Sequence, residues 1–316
     1  MSWDHLDESD VRVRPGRGSR PRTKDRPAHG DALVGMVVTV DRGRYGVRMP
    51  AGTGGRKEPE RTVVAMKARE LGRKGIVVGD DVGLVGDISG HPDALARIVR
   101  VQPRRTVLRR SADDTDPIER VLVANADQLV VVSSLTNPPP RPRLIDRCLV
   151  AAYDAGLKPL LLLTKADLVP AEDFMGLYAP LAVPCVVTSR RPDRTLVGLE
   201  EVRAHLAGRV SVLVGHSGVG KSTLVNALVP GADRSVGRVN DVTGRGRHTS
   251  TSAVALRLPA DTGWVIDTPG VRSFGLAHVD LARIVSHFTD LEPGTATCPR
   301  GSVSYTHLTL PTNREV

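Results

Sequence analysis

The fold is decided by Val210-Ser211-Val212-Leu213-Val214-Gly215-His216-Ser217-Gly218-Val219-Gly220-Lys221-Ser222-Thr223. An apolar run, Arg209–Val214, reads as a buried strand, and Lys221–Leu228 reads as a helix. Gly215 to Ser222 between them match GxxxxGK[ST]. The glycines let the backbone curl so that its N–H groups face phosphate oxygens, and the helix N-terminus adds favourable partial charge. Lys221 is placed to reach β- and γ-phosphates, and Ser222 to ligate Mg²⁺. A chance glycine-rich turn would lack the strand and the helix. His216 reads as shaping the loop rather than doing chemistry. The loop alone does not choose between ATP and GTP.

Outward from this loop, strands and helices alternate from about Ile118. Gln128–Ser133, Pro159–Thr164 and Cys185–Thr188 read as strands, Arg143–Ala155 and Leu199–Leu206 as helices, and Ala253–Leu258 with Trp264–Asp267 as a final strand pair. That alternation predicts an α/β fold with a mostly parallel, doubly wound sheet, whose ligands sit at the carboxyl ends of the strands.

The remaining motifs fall at such ends. Asp267-Thr268-Pro269-Gly270 follows Trp264-Val265-Ile266; the Asp267 carboxylate suits Mg²⁺ held through water, and the Gly270 N–H suits a γ-phosphate. Thr164-Lys165-Ala166-Asp167 ends an apolar strand. A buried Asp167 would accept from guanine N1–H and the exocyclic amine, and adenine offers no such donor pair, so discrimination would be large. The Lys165 stem would pack over the base. Thr164 stands where Asn is usual, which removes an amide that braces the neighbouring loop. Val187-Thr188-Ser189 is a looser match to the segment that offers a backbone N–H to guanine O6, because Arg190 replaces the usual small residue, and a plain strand end is the alternative.

Gly244-Arg245-Gly246-Arg247-His248-Thr249-Ser250-Thr251 lies where a switch segment with an Mg²⁺-ligating threonine belongs. Thr249 and Thr251 both qualify, and a basic surface loop is the alternative. The order along the chain is therefore base loop, phosphate loop, switch threonine, DxxG, a permutation of the usual GTPase order. A parallel sheet tolerates it, since strands keep their places while the chain ends move. Val271 follows the DTPG motif where many GTPases keep a water-orienting Gln. His248 is the candidate for that catalytic role, with a surface histidine in a basic loop as the alternative.

Residues 1–30 read as a disordered basic arm: Arg12 to Arg26 hold seven basic residues and one acid. Residues 31–108 carry five short β-like runs with glycine-rich breaks, which suggests a small barrel of the OB type. Tyr45 is the one aromatic in those runs, so RNA bound there would be held mainly through phosphates. Arg97, Arg100, Arg104, Arg105, Arg109 and Arg110 are the candidates for those contacts. A net charge of +9 is compatible with a polyanionic partner, and equally with a solvated basic surface. The three cysteines, Cys148, Cys185 and Cys298, form no CxxC pair, which excludes a disulfide framework and fits a reducing compartment. The polar opening residues are expected to carry no secretory leader. The apolar run at Leu160–Leu163 is too short to span a bilayer.

With Ala68-Arg69-Glu70-Leu71, Val78-Gly79-Asp80, Asn125-Ala126-Asp127, the TKAD loop, GHSGVGKST, GRGRHTST and DTPGVRSFG in place, the chain resembles the circularly permuted ribosome-biogenesis GTPases known as ribosome small subunit-dependent GTPase A, over roughly residues 31–298. The resemblance implies an N-terminal OB domain, a permuted GTPase domain over about 109–277 and a C-terminal zinc domain. It also implies GTP/GDP and Mg²⁺ as ligands, and a cytoplasmic monomer acting in late maturation of the small ribosomal subunit. Hydrolysis would be stimulated by that subunit and its rRNA. The C-terminus, residues 278–316, departs from the pattern. Cys298 fits the first zinc ligand, but Ser302 and Ser304 stand where Cys and His are expected, and His307 has the wrong spacing. One cysteine does not make a four-ligand zinc site. The natural frame is expected to end near Gly301, with a foreign tail from about residue 302.

Two other functions compete. A permuted GTPase of large-subunit assembly is opposed by the N-terminal barrel. An RNA-binding module holding nucleotide only as a structural ligand is opposed by the intact Lys221, Ser222 and Asp267.

Overall fold

A computed structural model of the chain describes residues 29–54, 58–72, 75–110, 120–193, 195–232, 253–268 and 276. Contacts divide the chain into Met1–Gly30 and Asp31–Val316, and the architecture below belongs to the second unit.

Five strands open it: β1 (Leu33–Asp41), β2 (Arg44–Met49), β3 (Arg61–Lys67), β4 (Asp81–Gly86) and β5 (Ala96–Val101). Their order β1-β2-β3-β5-β4 closes through a further β1–β4 pairing, so the five form a barrel. The β3–β5 pair is parallel and the others are antiparallel. Alternation along each strand sends Val37, Val47, Val63, Val82, Leu84 and Ile98 inward, each 1% exposed or less. β1 pairs with β2 along one edge, with a register shift between Val37 and Thr39, and its other edge serves two partners. Its first half pairs with β4, and Thr39 lies opposite Val254 of a strand outside the barrel.

A ribbon of β6 (Val107–Arg110) and β7 (Arg120–Ala124) leads out of the barrel. Then follow β8 (Gln128–Ser134), α1 (Pro142–Asp154), β9 (Lys158–Thr164), α2 (Glu172–Gly176), β10 (Cys185–Val187), β11 (Ser189–Arg190), β12 (Leu196–Val197), α3 (Leu199–Leu206), β13 (Val210–Gly215), α4 (Lys221–Leu228), β14 (Val254–Arg257) and β15 (Trp264–Asp267). Strands β10-β9-β8-β13-β15 run parallel, and β14 adds antiparallel to β15. Both faces of this sheet are buried, so its strands read as continuous apolar runs. Leu129, Val131, Leu161 and Leu163 pack on one face with Ile145 and Leu149 of α1. Val130, Val132, Leu160 and Leu162 pack on the other with Val202, Leu206, Leu224 and Leu228 of α3 and α4. Each such fully buried side chain contributes about 1.5–3 kcal/mol.

The barrel and the sheet are joined by a polar knot. Asn125, at φ +57°, donates from Nδ2 to the Gly79 carbonyl at 2.9 Å and accepts from the Arg105 N–H at 2.8 Å. Asp127 accepts from Val210 N–H at 2.8 Å and from Arg105 Nη1 at 3.1 Å. Buried Asp80 takes a two-pronged bond from Arg104, at 2.7 and 2.9 Å. These contacts give the Asn-Ala-Asp and Val-Gly-Asp tripeptides a structural reason. They also correct the expectation that Arg104 is free for phosphates: a carboxylate 24 residues earlier in the chain already neutralises it. Arg97 and Arg100 are exposed on β5.

Gly79 sits at φ +89°, and a Cβ there would lie 2.0 Å from the Ala124 carbonyl oxygen. Gly79→Ala is expected to lower unfolding free energy by about 3 kcal/mol through strain and clash at the knot. Urea denaturation checks this, and an unchanged midpoint would contradict it.

Candidate functional site

The phosphate-type loop leaves β13 at Gly215, where a Cβ would meet the Val132 carbonyl oxygen at 2.5 Å, so only glycine fits. Gly218 and Gly220 take φ of +83° and +94°, which turns the loop into the first residue of α4. Leu224, Val225 and Leu228 anchor the helix in the core, leaving Ser222 and Thr223 exposed on its first turn. Val219 is buried beneath the loop. The His216 ring Nδ1 lies 2.8 Å from the Ser217 carbonyl oxygen.

Asp267 ends β15, opposite Leu213 of β13, so the parallel pairing carries it to the same sheet end as the loop. Lys221 Nζ donates to Asp267 Oδ1 at 2.7 Å and to the Thr268 carbonyl at 2.6 Å. The buried Thr268 hydroxyl donates to the Leu213 carbonyl at 2.6 Å and holds this residue against β13. Ser222 and Asp267 offer hard oxygen donors beside a phosphate-type loop. That donor set fits Mg²⁺, which takes one or two protein oxygens and completes its shell with phosphates and water. Among the described residues there is no cluster of three or more His, Cys, Asp or Glu that would hold a metal unaided.

A second cleft, of about 260 Å³, opens beside the loop, and Thr164, Lys165, Asp167, Thr188, Ser189, Gly220 and Thr223 all line it. The parallel pairs β8–β9 and β9–β10 bring these segments to one sheet end. Thr164 is buried, and its hydroxyl donates to the Val219 carbonyl at 2.6 Å. The expectation that losing the usual Asn unbraces the neighbouring loop is therefore corrected, because the shorter hydroxyl makes the brace itself. Lys165, at φ +65°, donates from Nζ to the Asn137 carbonyl and, at 3.0 Å, to the Gly218 carbonyl. Thr188 is buried, and its N–H and hydroxyl both donate to the Leu163 carbonyl, at 2.7 and 3.1 Å.

Asp167 is exposed rather than buried, since it lies in the turn after β9 at the mouth of the cleft. Its Oδ1 accepts from the Arg190 backbone N–H at 2.9 Å. That bond fixes the carboxylate and leaves Oδ2 for a ligand.

Gly270, His248, Thr249, Thr251 and Cys298 lie outside the described residues. Arg190, Leu196 and Leu168 were not singled out from the sequence as cleft residues, yet they line it. Arg190 and Leu196 face each other in the two-residue strands β11 and β12, too short to show an alternation. The available signal was the Pro192-Asp193 turn, where Asp193 Oδ1 accepts from the Thr195 N–H at 2.9 Å. On the other side of the phosphate-type loop a cavity of about 20 Å³ is lined by Cys148, Gly215, His216 and Val219. Burial, helped by the Asp146 charge, pushes the Cys148 thiol up to about 12, so this cysteine stays protonated.

Thr164→Val removes the hydroxyl at nearly constant shape and leaves the Val219 carbonyl unpaired. A loss of about 1–3 kcal/mol in unfolding free energy is expected, with most of it retained in Thr164→Ser. Equal urea midpoints for the Val variant and the unsubstituted chain would remove the brace.

Comparisons with known proteins bear on this geometry. Small ribosomal subunit biogenesis GTPase RsgA of Azotobacter vinelandii is 44% identical over 199 residues, covering 61% of this chain and 56% of the relative. The protein of the same name from Pseudomonas aeruginosa strain LESB58 is 43% identical over 199 residues, covering 61% of this chain and 57% of the relative. The chain thus spans under three fifths of the length of these curated relatives. The crystal structure of YjeQ from Thermotoga maritima superposes with a TM-score of 0.60 at 25% identity, covering 88% of each chain. That of YloQ, titled a circularly permuted GTPase, gives 0.59 at 21% identity over 90% of this chain and 87% of its own, a likeness of fold. Residues 101–277, more than half of the 316, match the RsgA GTPase family, and the chain belongs to that family.

Proposed function

We propose that this chain binds GTP and GDP with Mg²⁺ and hydrolyses GTP in late maturation of the small ribosomal subunit. The observation that carries the reading is convergence. The parallel strands β9, β10, β13 and β15 end at one side of the sheet, and there the Thr164–Asp167 loop, the Gly215–Ser222 loop and Asp267 stand around adjoining clefts. The names of the relatives supply the ribosomal assignment.

In this reading residues 109–277 are the permuted GTPase domain, 31–108 the OB barrel, and 278–316 an incomplete zinc domain. The backbone N–H groups from Gly215 to Lys221 cradle the β-phosphate. Lys221 turns from Asp267 to the β- and γ-phosphates, while Ser222 and Asp267 would hold the ion. When bound, Mg²⁺ spreads the charge that builds up on the transferring phosphoryl group. Thr249 or Thr251 adds a further oxygen, and His248 orients the attacking water. Asp167 reads the guanine N1–H and amine, and the Val187–Ser189 segment offers an N–H to O6. The protein works as a cytoplasmic monomer on the small subunit and its rRNA.

Two measurements test this. GTP hydrolysis by the chain is expected to exceed ATP hydrolysis and to rise on adding purified small subunits; equal ATP turnover would refute the base assignment, and no stimulation the ribosomal one. Asp167→Asn is expected to shift preference from guanine to xanthine nucleotides, because the amide donates where the carboxylate accepted. Undiminished GTP preference in that variant would falsify the role of Asp167.

A further inference from the structure

The motifs above leave one charged group in the base cleft without a role. Arg190 stands where a small residue is usual, and it lines the cleft together with Asp167, Leu168 and Leu196. Among the described residues its guanidinium has no carboxylate partner, whereas Arg104 and Arg105 are each paired with an aspartate. Its backbone is fixed at two points. The N–H is held by Asp167 Oδ1 at 2.9 Å, and the β11–β12 pairing sets Arg190 opposite Leu196. A cation with no carboxylate partner among the described residues, on a fixed backbone at a cleft wall, is placed to meet an acceptor on whatever enters.

The geometry points to Arg190 as a second reader of the base, in which its guanidinium donates to guanine O6 and N7. This inference rests on the proposed GTP site. Along the edge of guanine the groups run exocyclic amine, N1–H, O6, N7: two donors, then two acceptors. An Asp167 that takes the two donors leaves the next residue along that edge opposite the acceptors. Arg190 is that residue, since its N–H touches the Asp167 carboxylate. The planar fork of an arginine matches O6 and N7 two-pronged, as it does where proteins read guanine in the DNA major groove. Adenine presents an amine in place of O6, so the same guanidinium would face a donor. Leu196 and Leu168 on the cleft wall keep part of that edge away from water. Two residues joined by one hydrogen bond would then supply discrimination at both halves of the base edge: carboxylate for donors, guanidinium for acceptors.

Equilibrium binding by calorimetry, with GTP, 7-deaza-GTP and ITP, tests it. In 7-deaza-GTP the N7 acceptor is a C–H, and ITP lacks the amine that Asp167 reads. The unsubstituted chain is expected to bind 7-deaza-GTP about five- to tenfold more weakly than GTP, the lower end of what a two-pronged guanine contact gives, because the cleft is open to water. Arg190→Ala keeps the backbone N–H, so it is expected to bind GTP more weakly by a similar factor and no longer to distinguish 7-deaza-GTP. Arg190→Lys, a point charge without the fork, is expected to restore at most part of the difference. The ITP penalty should persist in all three proteins.

Equal binding of GTP and 7-deaza-GTP by the unsubstituted chain overturns the inference without needing any variant to fold. So does a full 7-deaza penalty in Arg190→Ala. An absent ITP penalty alongside an intact 7-deaza penalty would instead count against Asp167 and leave Arg190 standing. Failure of GTP itself to bind overturns both.

Discussion

Thr164 places one buried hydroxyl against the Val219 carbonyl, 2.6 Å away, and the functional half of the molecule is organised around that bond. On one side of it is the turn that carries Lys165 and Asp167; on the other is the glycine loop that opens α4. Lys165 repeats the connection one residue later by donating to Gly218. A nucleotide bound in one extended conformation holds its base and its phosphates a set distance apart, so in the proposed reading the two loops need a fixed separation. Two adjacent side chains bonded to two adjacent carbonyls supply that constraint, and both acceptors lie in the segment that only glycines allow to curl.

The same end of the sheet is reached whichever way the chain is threaded. Strand order β10-β9-β8-β13-β15-β14 is a property of space, and the sequence enters it in the middle, at β8. Entry there demands that the barrel arrive at β8, and the knot of Asn125, Asp127, Arg104 and Arg105 is where it does. Asp127 bonds to Val210 at the foot of β13, so the strand that carries the phosphate-type loop is held by the same knot that joins the barrel to the sheet. The joint thus sits at the start of β8 and β13, at the opposite strand end from the glycine loop.

Much of this was legible beforehand, for physical reasons. Strands buried on both faces announce themselves as apolar runs, and β8, β9 and β13 were read close to their observed bounds. Glycines at positive φ and a lysine at a helix start form a local pattern, so the Gly215–Ser222 turn needed no tertiary information. What could not be read depends on partners distant in sequence. Arg104 appeared as a free cation because Asp80 is 24 residues away. Thr164 appeared as a lost brace because its acceptor, Val219, is 55 residues on. Asp167 was expected to be buried, yet it sits at an exposed turn, and its bond to Arg190 spans 23 residues. The β11–β12 hairpin escaped because two-residue strands carry no periodicity.

The pairing of Thr39 with Val254 has a consequence for how the molecule meets its own copies. An antiparallel strand at the border of a parallel sheet exposes unpaired N–H and C=O groups, which invite strand addition from another chain. Here β14 is flanked by β15 on one side and touched by β1 of the barrel on the other. Glu60, gripped by both Arg48 and Arg257, fastens charged side chains along the same border, and Arg48 lies 4.8 Å from the Trp264 ring centroid. The barrel has no open border of its own, because β4 returns to β1. Among the described residues the border left at the far side of this sheet is β10, three residues long. The closed barrel thus also acts as a guard against edge-to-edge aggregation, protecting a sheet whose strands are mostly apolar.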